Sequence, residues 1–233
     1  MMTSEEMRQK YFKSSDHPYN KYEEKIESVL SPSFTILDAG CGRTAPILRK
    51  FKDKAQKLVG VDLEDPSDIQ DEVTYVKGNI SDINIPSDSV DVVISRAVLE
   101  HVEDADLVFE ELKRVLKPGG SFIFLVPNEY DYVALAAKVI PNRYHKKIVA
   151  KTEGRDMEDV FPTYYKANSY RSIDRLCKDH GFEIESFEWL GQYPSSLMFS
   201  PVLFYIGTMY EKVIARFDSL RYLRGWLLVQ LRA

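Results

Sequence analysis

The sequence predicts an α/β fold in which short apolar strands alternate with helices, and three observations carry that expectation. Thr35-Ile36-Leu37 is β-branched or apolar and runs into Asp38-Ala39-Gly40-Cys41-Gly42, a carboxylate followed by two glycines one residue apart. An apolar-patterned run with Ala45, Ile47 and Leu48 follows, so the stretch reads as strand, tight turn, helix. Residues 58–62 form a second apolar strand that also ends in an acid, Asp62. Residues 104–117 then place Leu107, Val108, Leu112, Val115 and Leu116 at helical spacing.

Composition bounds the function classes. A chain of 233 residues fits one large domain or a domain with an insertion, and 44% hydrophobic with 29% charged residues describes an ordinary soluble protein. The net charge of -5 argues against general nucleic-acid binding. Cys41, inside the glycine turn, and Cys177 do not suggest a disulfide framework, so a reducing, cytosolic setting is expected. The beginning of the chain, with Glu5, Glu6, Arg8 and Lys10, lacks a signal-peptide pattern. No metal site is expected, because His17, His101, His145 and His180 are far apart without metal-ligand spacing. Neither a glycine-flanked nucleophilic serine nor a Gly-Lys-Ser/Thr phosphate loop is present.

Taken in order, residues 1–34 read as an aromatic-rich helical segment (Tyr11, Phe12, His17, Tyr19, Tyr22), closed by Pro32 and placed either as packing or as a lid over a cofactor. Residues 35–128 form the cofactor-binding core. Its third strand, 73–76, ends at Gly78-Asn79-Ile80; a turn at 86–89 delivers the fourth, 90–95, into Arg96; Pro118-Gly119-Gly120 turns the helix of 104–117 into the fifth, 121–126. Residues 129–168 are the variable part, expected to bind substrate, with a basic run of Arg143, His145, Lys146, Lys147, Lys151 and Arg155. Residues 169–180 read as a helix stopped by Gly181, followed by a strand at 182–190. Residues 189–210 carry no charge, and 197–210 are strongly apolar but too short and too broken by Pro201 to span a bilayer, which takes roughly 20 apolar residues. That segment is a core helix, a dimer face or a membrane-surface element.

Two cofactor classes suit the glycine turn. Gly40-x-Gly42-x-x-Ala45 formally fits the dinucleotide fingerprint, with Asp62 at the distance of a ribose-binding acid. Asp38 beside the turn would repel a pyrophosphate, yet it suits a ligand carrying an ammonium and a sulfonium, which favours S-adenosylmethionine over NAD.

The Asp38–Gly42 string also resembles motif I of the class I S-adenosylmethionine-dependent methyltransferases, acid-x-Gly-x-Gly, although Thr44 stands where that family often has a third glycine. Leu99-Glu100-His101-Val102 and Leu116-Lys117-Pro118-Gly119-Gly120 are similar to two further family segments. The resemblance covers residues 35–128 firmly and 168–190 loosely. It implies a Rossmann-like, seven-stranded, mostly parallel sheet flanked by helices, whose last strand, 226–231, is antiparallel and inserts beside the fifth. Residues 169–233 are then the C-terminal part, with 195–224 as an apolar helical insertion. It further implies S-adenosyl-L-methionine as cofactor: Asp38, Gly40, Cys41 and Gly42 at the methionine end, Asp62 and the adjacent Leu63 at the ribose side, Asn79 and Ile80 at the adenine, Ser95 and Arg96 near the sulfonium. His101 is the candidate general base.

The function that follows is methyl transfer to a small-molecule or lipid-linked acceptor, by O-methylation, in cell-surface glycan or lipid biosynthesis. Alternatives are a quinone-type C/O-methyltransferase and a non-catalytic S-adenosylmethionine-binding protein. Residues 197–210 are expected to meet a membrane, the protein lying peripherally at its inner face, or a second copy of the chain.

Overall fold

The seven strands are β1 (Thr35–Ala39), β2 (Lys57–Asp62), β3 (Val73–Lys77), β4 (Val90–Arg96), β5 (Leu116–Pro127), β6 (Glu183–Leu190) and β7 (Trp226–Arg232). They form one sheet in the order β3-β2-β1-β4-β5-β7-β6, in which only β7 runs antiparallel to its neighbours. The expected seven-stranded sheet is therefore present, with the last strand inserted beside β5. The computed structural model describes residues 2–69, 71–132, 134–135 and 162–233. The basic run at 143–155 lies outside the described residues, as does most of the variable part.

Over the described residues the helices are α1 (Ser4–Tyr11), α2 (Pro18–Val29), α3 (Ala105–Val115), α4 (Tyr170–His180) and α5 (Pro201–Arg216). Local chemistry sets their ends. Asp104 caps α3 by accepting from the amides of Asp106 and Leu107, and Gly181 closes α4 in the left-handed conformation at φ 69°. Within α3, Val108, Phe109, Leu112 and Val115 face the core, whereas Leu107, expected among them, is exposed.

Because side chains alternate along a strand, the sheet builds two cores. Leu37, Ala39, Val93, Phe122 and Phe124 point to one face and pack under α3 and α4. Ile36, Leu58, Ile94 and Ile123 point to the other, where Tyr22 and Ile26 of α2 cover them. The N-terminal segment therefore packs as a structural helix on the sheet. The same alternation puts Asp38 two residues beyond Ile36, and Arg96 two beyond Ile94, on that α2 face.

One expected helix is missing. After the glycine turn the chain forms only a four-residue 3-10 turn, Leu48–Phe51. Ala45, just before Pro46, sits in the left-handed region at φ 43°, so the backbone is not helical on entering this stretch.

The apolar segment becomes α5. Phe204 is fully buried, with its ring 6.4 Å from that of Phe12, and Met209 is half-buried; Phe199, Val202, Leu203, Tyr205 and Ile206 are exposed. Phe204 is thus part of the core and not of an outer docking face. Among the described residues no helix is long and apolar enough to cross a membrane.

Candidate cofactor and acceptor site

The carboxyl ends of β1, β2 and β4 meet at one edge of the sheet, beside the place where the strand order reverses, and ligands of open α/β sheets bind at such places. Asp38 is completely buried there, and neither carboxylate oxygen has a hydrogen-bond partner among the described residues. Burial lifts its pKa from the usual carboxylate range to about 7; the Arg96 cation works against that rise and the charge of Asp62 adds to it. A buried carboxylate without a partner costs the fold several kcal/mol by general solvation arguments, of order ~3 or more, unless a ligand supplies a cation or donors.

Tyr22 of α2 is also fully buried and feels the charge of Asp38, so its phenol lies beside the carboxylate; burial chiefly, and then that charge, push its pKa well up. Arg96 is held loosely, 3.9 Å from Glu23 Oε1 and stacked over the Tyr19 ring at 4.3 Å. A buried acid, a phenol and a weakly paired guanidinium thus share the α2 face. Sequence reasoning placed Tyr22 only in a packing or lid helix. Its signal is visible afterwards: a tyrosine one helical turn before Ile26 and one after Tyr19.

Asp62 holds the glycine turn. Its Oδ2 accepts the Gly42 amide at 2.7 Å and its Oδ1 the Glu64 amide at 3.1 Å, leaving further lone pairs on a half-buried carboxylate. Next to it Leu63 is 64% exposed, an apolar side chain lying in the open at the cleft. Gly40 and Gly42 differ in role. A Cβ on Gly40 would sit 2.3 Å from Val98 Cγ2, so that glycine is required by the chain's own packing; a Cβ on Gly42 would meet nothing within 4 Å and faces open space.

Three expected site residues turn their side chains into the core. Cys41 turns its side chain into the core against Gly60, where an added Cβ would come 2.7 Å from its Sγ, and burial pushes the thiol's pKa up. Ser95 is fully buried and donates to the Ala39 carbonyl at 2.8 Å, tying β4 to β1. Ile80 is buried in the core, which leaves its backbone N–H, the group the resemblance assigns to the adenine ring. Asn79 is exposed, its Oδ1 accepting the Ser81 amide at 3.1 Å in a local turn. His101 stands apart as well: a carbonyl can only accept, so its Nδ1–H donates to Pro162 O at 2.9 Å. Through Nδ1 it anchors the chain that returns from the variable part, and the same bond fixes the tautomer in which Nε2 carries the lone pair a general base needs.

The missing helix changes the electrostatics of the turn. The amides of Gly40 and Cys41 donate to Val61 O, that of Gly42 to Asp62, and the segment after the turn forms no α-helix whose N-terminus could face the cleft. A pyrophosphate would meet two carboxylates and no free amide nest; an ammonium finds a buried counter-charge. The donor set fits S-adenosylmethionine and does not fit a dinucleotide.

Residues 37–124 match the family model of a methyltransferase domain. Residues 37–124 thus carry a methyltransferase domain. Two relatives extend the likeness. A sterol 24-C-methyltransferase of Yarrowia lipolytica is 29% identical over 168 residues, covering 67% of this chain and 41% of that protein. A probable S-adenosylmethionine-dependent methyltransferase of Mycolicibacterium smegmatis is 32% identical over 157 residues, covering 64% and 52%. The chain thus spans about half or less of the curated relatives it matches. A crystal structure of an S-adenosylmethionine-dependent methyltransferase from Mesorhizobium loti superimposes with a TM-score of 0.60 at 19% identity over 93% of this chain and 98% of that one, a likeness of fold.

The methyltransferase domain carries its buried acid at a measurable cost. A carboxyl whose pKa is raised by folding binds its proton more tightly in the folded state, so stability is lost as pH rises from about 4 towards 7 and stays lowered above that. Asp38→Asn is expected to unfold at a higher temperature than wild type at pH 8, a gain of about 2–4 kcal/mol, and to lose the advantage near pH 4. Melting curves of ligand-free protein at both pH values check this; equal melting at pH 8 contradicts it.

Proposed function

We propose that this protein transfers the methyl group of S-adenosylmethionine to a small-molecule or lipid-linked acceptor. The unpartnered, buried carboxylate of Asp38 carries the proposal, because it is a finished site for an organic cation. S-adenosylmethionine supplies an electrophilic methyl carbon on a sulfonium. Asp38 takes the ammonium, and Arg96, with only a loose ion pair of its own, is placed for the carboxylate of the same amino-acid end. Asp62 accepts from ribose hydroxyls with its remaining lone pairs, Leu63 covers the adenine, and Asn79 and the Ile80 backbone meet its edge. Holding donor and acceptor in line removes roughly 7–11 kcal/mol of barrier.

The methylated atom is proposed to be oxygen, in lipid or cell-surface glycan synthesis at the inner face of a membrane. The exposed face of α5 supports an apolar or lipid-borne acceptor: Val202, Leu203 and Ile206 lie open on the helix that also carries the exposed Lys212 and Arg216, with the exposed Phe199 just before it. A carbon acceptor is the second reading, favoured by the names of the sterol 24-C-methyltransferases to which the chain is similar.

Calorimetry is expected to show micromolar binding of S-adenosylmethionine, about −8 kcal/mol, and none of NAD. Asp62→Ala should weaken the binding by about 1.5–3 kcal/mol, since it removes a charged acceptor. Incubation with labelled donor and a cell extract should then label a small molecule in the lipid or glycan fraction; NAD binding without S-adenosylmethionine binding would overturn the function.

Membrane contact has its own test. Wild-type protein should float with anionic vesicles at low salt and Ile206→Glu should not, because basic side chains near such a surface add about 1 kcal/mol each. Protein that stays at the bottom of the gradient and runs as a dimer assigns the face to a second copy instead.

A further inference from the structure

Beyond Arg96 lies a cavity whose wall bears a carboxylate that the donor site does not use. The cavity measures about 530 Å³ and runs between the N-terminal segment, the turn after β6 and α5, with Arg96, Tyr19, Tyr193 and Glu211 in its lining. Arg96 ends β4, the strand beside β1, so the cavity opens next to the donor cleft at Asp38. Glu211 comes from α5 and is 4% exposed, and its Oε1 has no hydrogen-bond partner among the described residues.

Its placement is built into the surrounding chain. A Cβ on Gly191 would come 3.3 Å from Glu211 Oε2, so a glycine there lets the carboxylate lie against the turn, where the Gln192 backbone holds it. Three cations in the same lining are each stacked on a ring: Arg8 over Tyr193 at 5.6 Å, Lys212 over Tyr11 at 3.9 Å and Arg96 over Tyr19 at 4.3 Å. No ion pair among the described residues joins any of them to Glu211, whose Oε1 is enclosed by the protein without a hydrogen-bond partner among the described residues. A polar atom so buried, in a cavity open to a ligand, awaits a donor from outside the chain.

We propose that this cavity is the acceptor site and that Glu211 receives the proton of the acceptor's hydroxyl during methyl transfer. The proposal rests on the methyltransferase function above and adds the site, the group and the acceptor class: a hydroxyl compound with an apolar or aromatic body. The acceptor oxygen bonds to the methyl carbon as the carbon–sulfur bond breaks. The electron pair of that bond goes to sulfur, leaving a neutral thioether, and the hydroxyl proton goes to Glu211.

Burial first, and the nearby Asp131 second, raise the pKa of Glu211 to about 8, while the Gln192 backbone lowers it. Asp131 faces it from the turn after β5, and Tyr132 and Tyr210 lie within reach of its charge. Asp16, Lys21 and Arg224 border a smaller recess on its other side. A proton acceptor titrating near working pH is matched to its task.

The test uses Glu211→Gln, which keeps the shape, and Ala215→Phe, one helical turn further along α5 on the cavity wall. Calorimetry with S-adenosylmethionine is paired with transfer of labelled methyl groups into the organic-soluble fraction of a cell extract, followed from about pH 6 to about 9. Donor affinity should be unchanged in both variants. Glu211→Gln should lose about 10²–10⁴-fold in transfer, together with the rise through pH 8 that wild type shows. Ala215→Phe should need more extract for half-maximal transfer. Transfer by Glu211→Gln within about twofold of wild type, with the same pH profile, overturns this inference alone. Wild-type protein that binds the donor and labels nothing overturns methyl transfer itself, and this inference with it.

Discussion

The site depends on one unbalanced charge. Asp38 lies at the carboxyl end of a strand buried on both faces, with β2 and β4 hydrogen-bonded on either side and the Tyr22 helix above, and no described residue hydrogen-bonds to its oxygens. Other groups at this edge are arranged around that fact. Asp62 fixes the glycine turn through two amides, Ser95 locks β4 to β1, and Arg96 stands across from the acid without pairing with it. A carboxylate in that position resists ionising until a cation arrives, so ligand recognition and the stability of the empty fold oppose each other.

Strand alternation is what turns a sheet motif into a site. The period of two along β1 and β4 places Asp38 and Arg96 on the face that α2 covers, and puts Ser95 on the opposite one. The N-terminal segment is therefore both core and roof: Tyr22 and Ile26 fill the space above the sheet, while Tyr19 and Glu23 steer Arg96. Its other side, with Tyr11, Phe12 and His17, forms a wall of the cavity whose far wall is α5. Donor cleft and cavity share Arg96, which is the geometric reason for assigning one to the donor and the other to the acceptor.

Much of the frame was legible in the sequence because strong local signals set it. Apolar strands carrying Asp38 and Asp62 at their carboxyl ends, the helix that starts after Asp104 and the Gly181 stop all appear where their chemistry requires. Pro118-Gly119-Gly120, read as a turn before the fifth strand, lies instead inside β5, which begins at Leu116 and shifts register there with Gly119 at φ 78°. The helix after the glycine turn was misread because the spacing of Ala45, Ile47 and Leu48 does not show the left-handed backbone at Ala45, where the chain takes only a 3-10 turn at Leu48–Phe51. The direction of a side chain at a turn was less legible still. Cys41 and Ser95 sit within the motif yet point into the core, since a sequence shows neighbours along the chain and not which face each meets. Glu211 was hidden for the opposite reason. It lies one residue past an uncharged, apolar stretch, and only the fold brings its helix against the N-terminal segment and the Asp131 turn.

Proton release on donor binding tests the central claim most directly. At pH 7 a carboxyl with a pKa of about 7 is half protonated, and an arriving ammonium should drive that proton off, offset slightly by the donor's own amine. Calorimetric titration of S-adenosylmethionine in buffers of different ionisation enthalpy is predicted to show about a third to a half of a proton released per donor bound, with no release from Asp38→Asn. Binding without proton release by wild type, or an undiminished release from the variant, would contradict the assignment of Asp38 as the counter-charge of the donor.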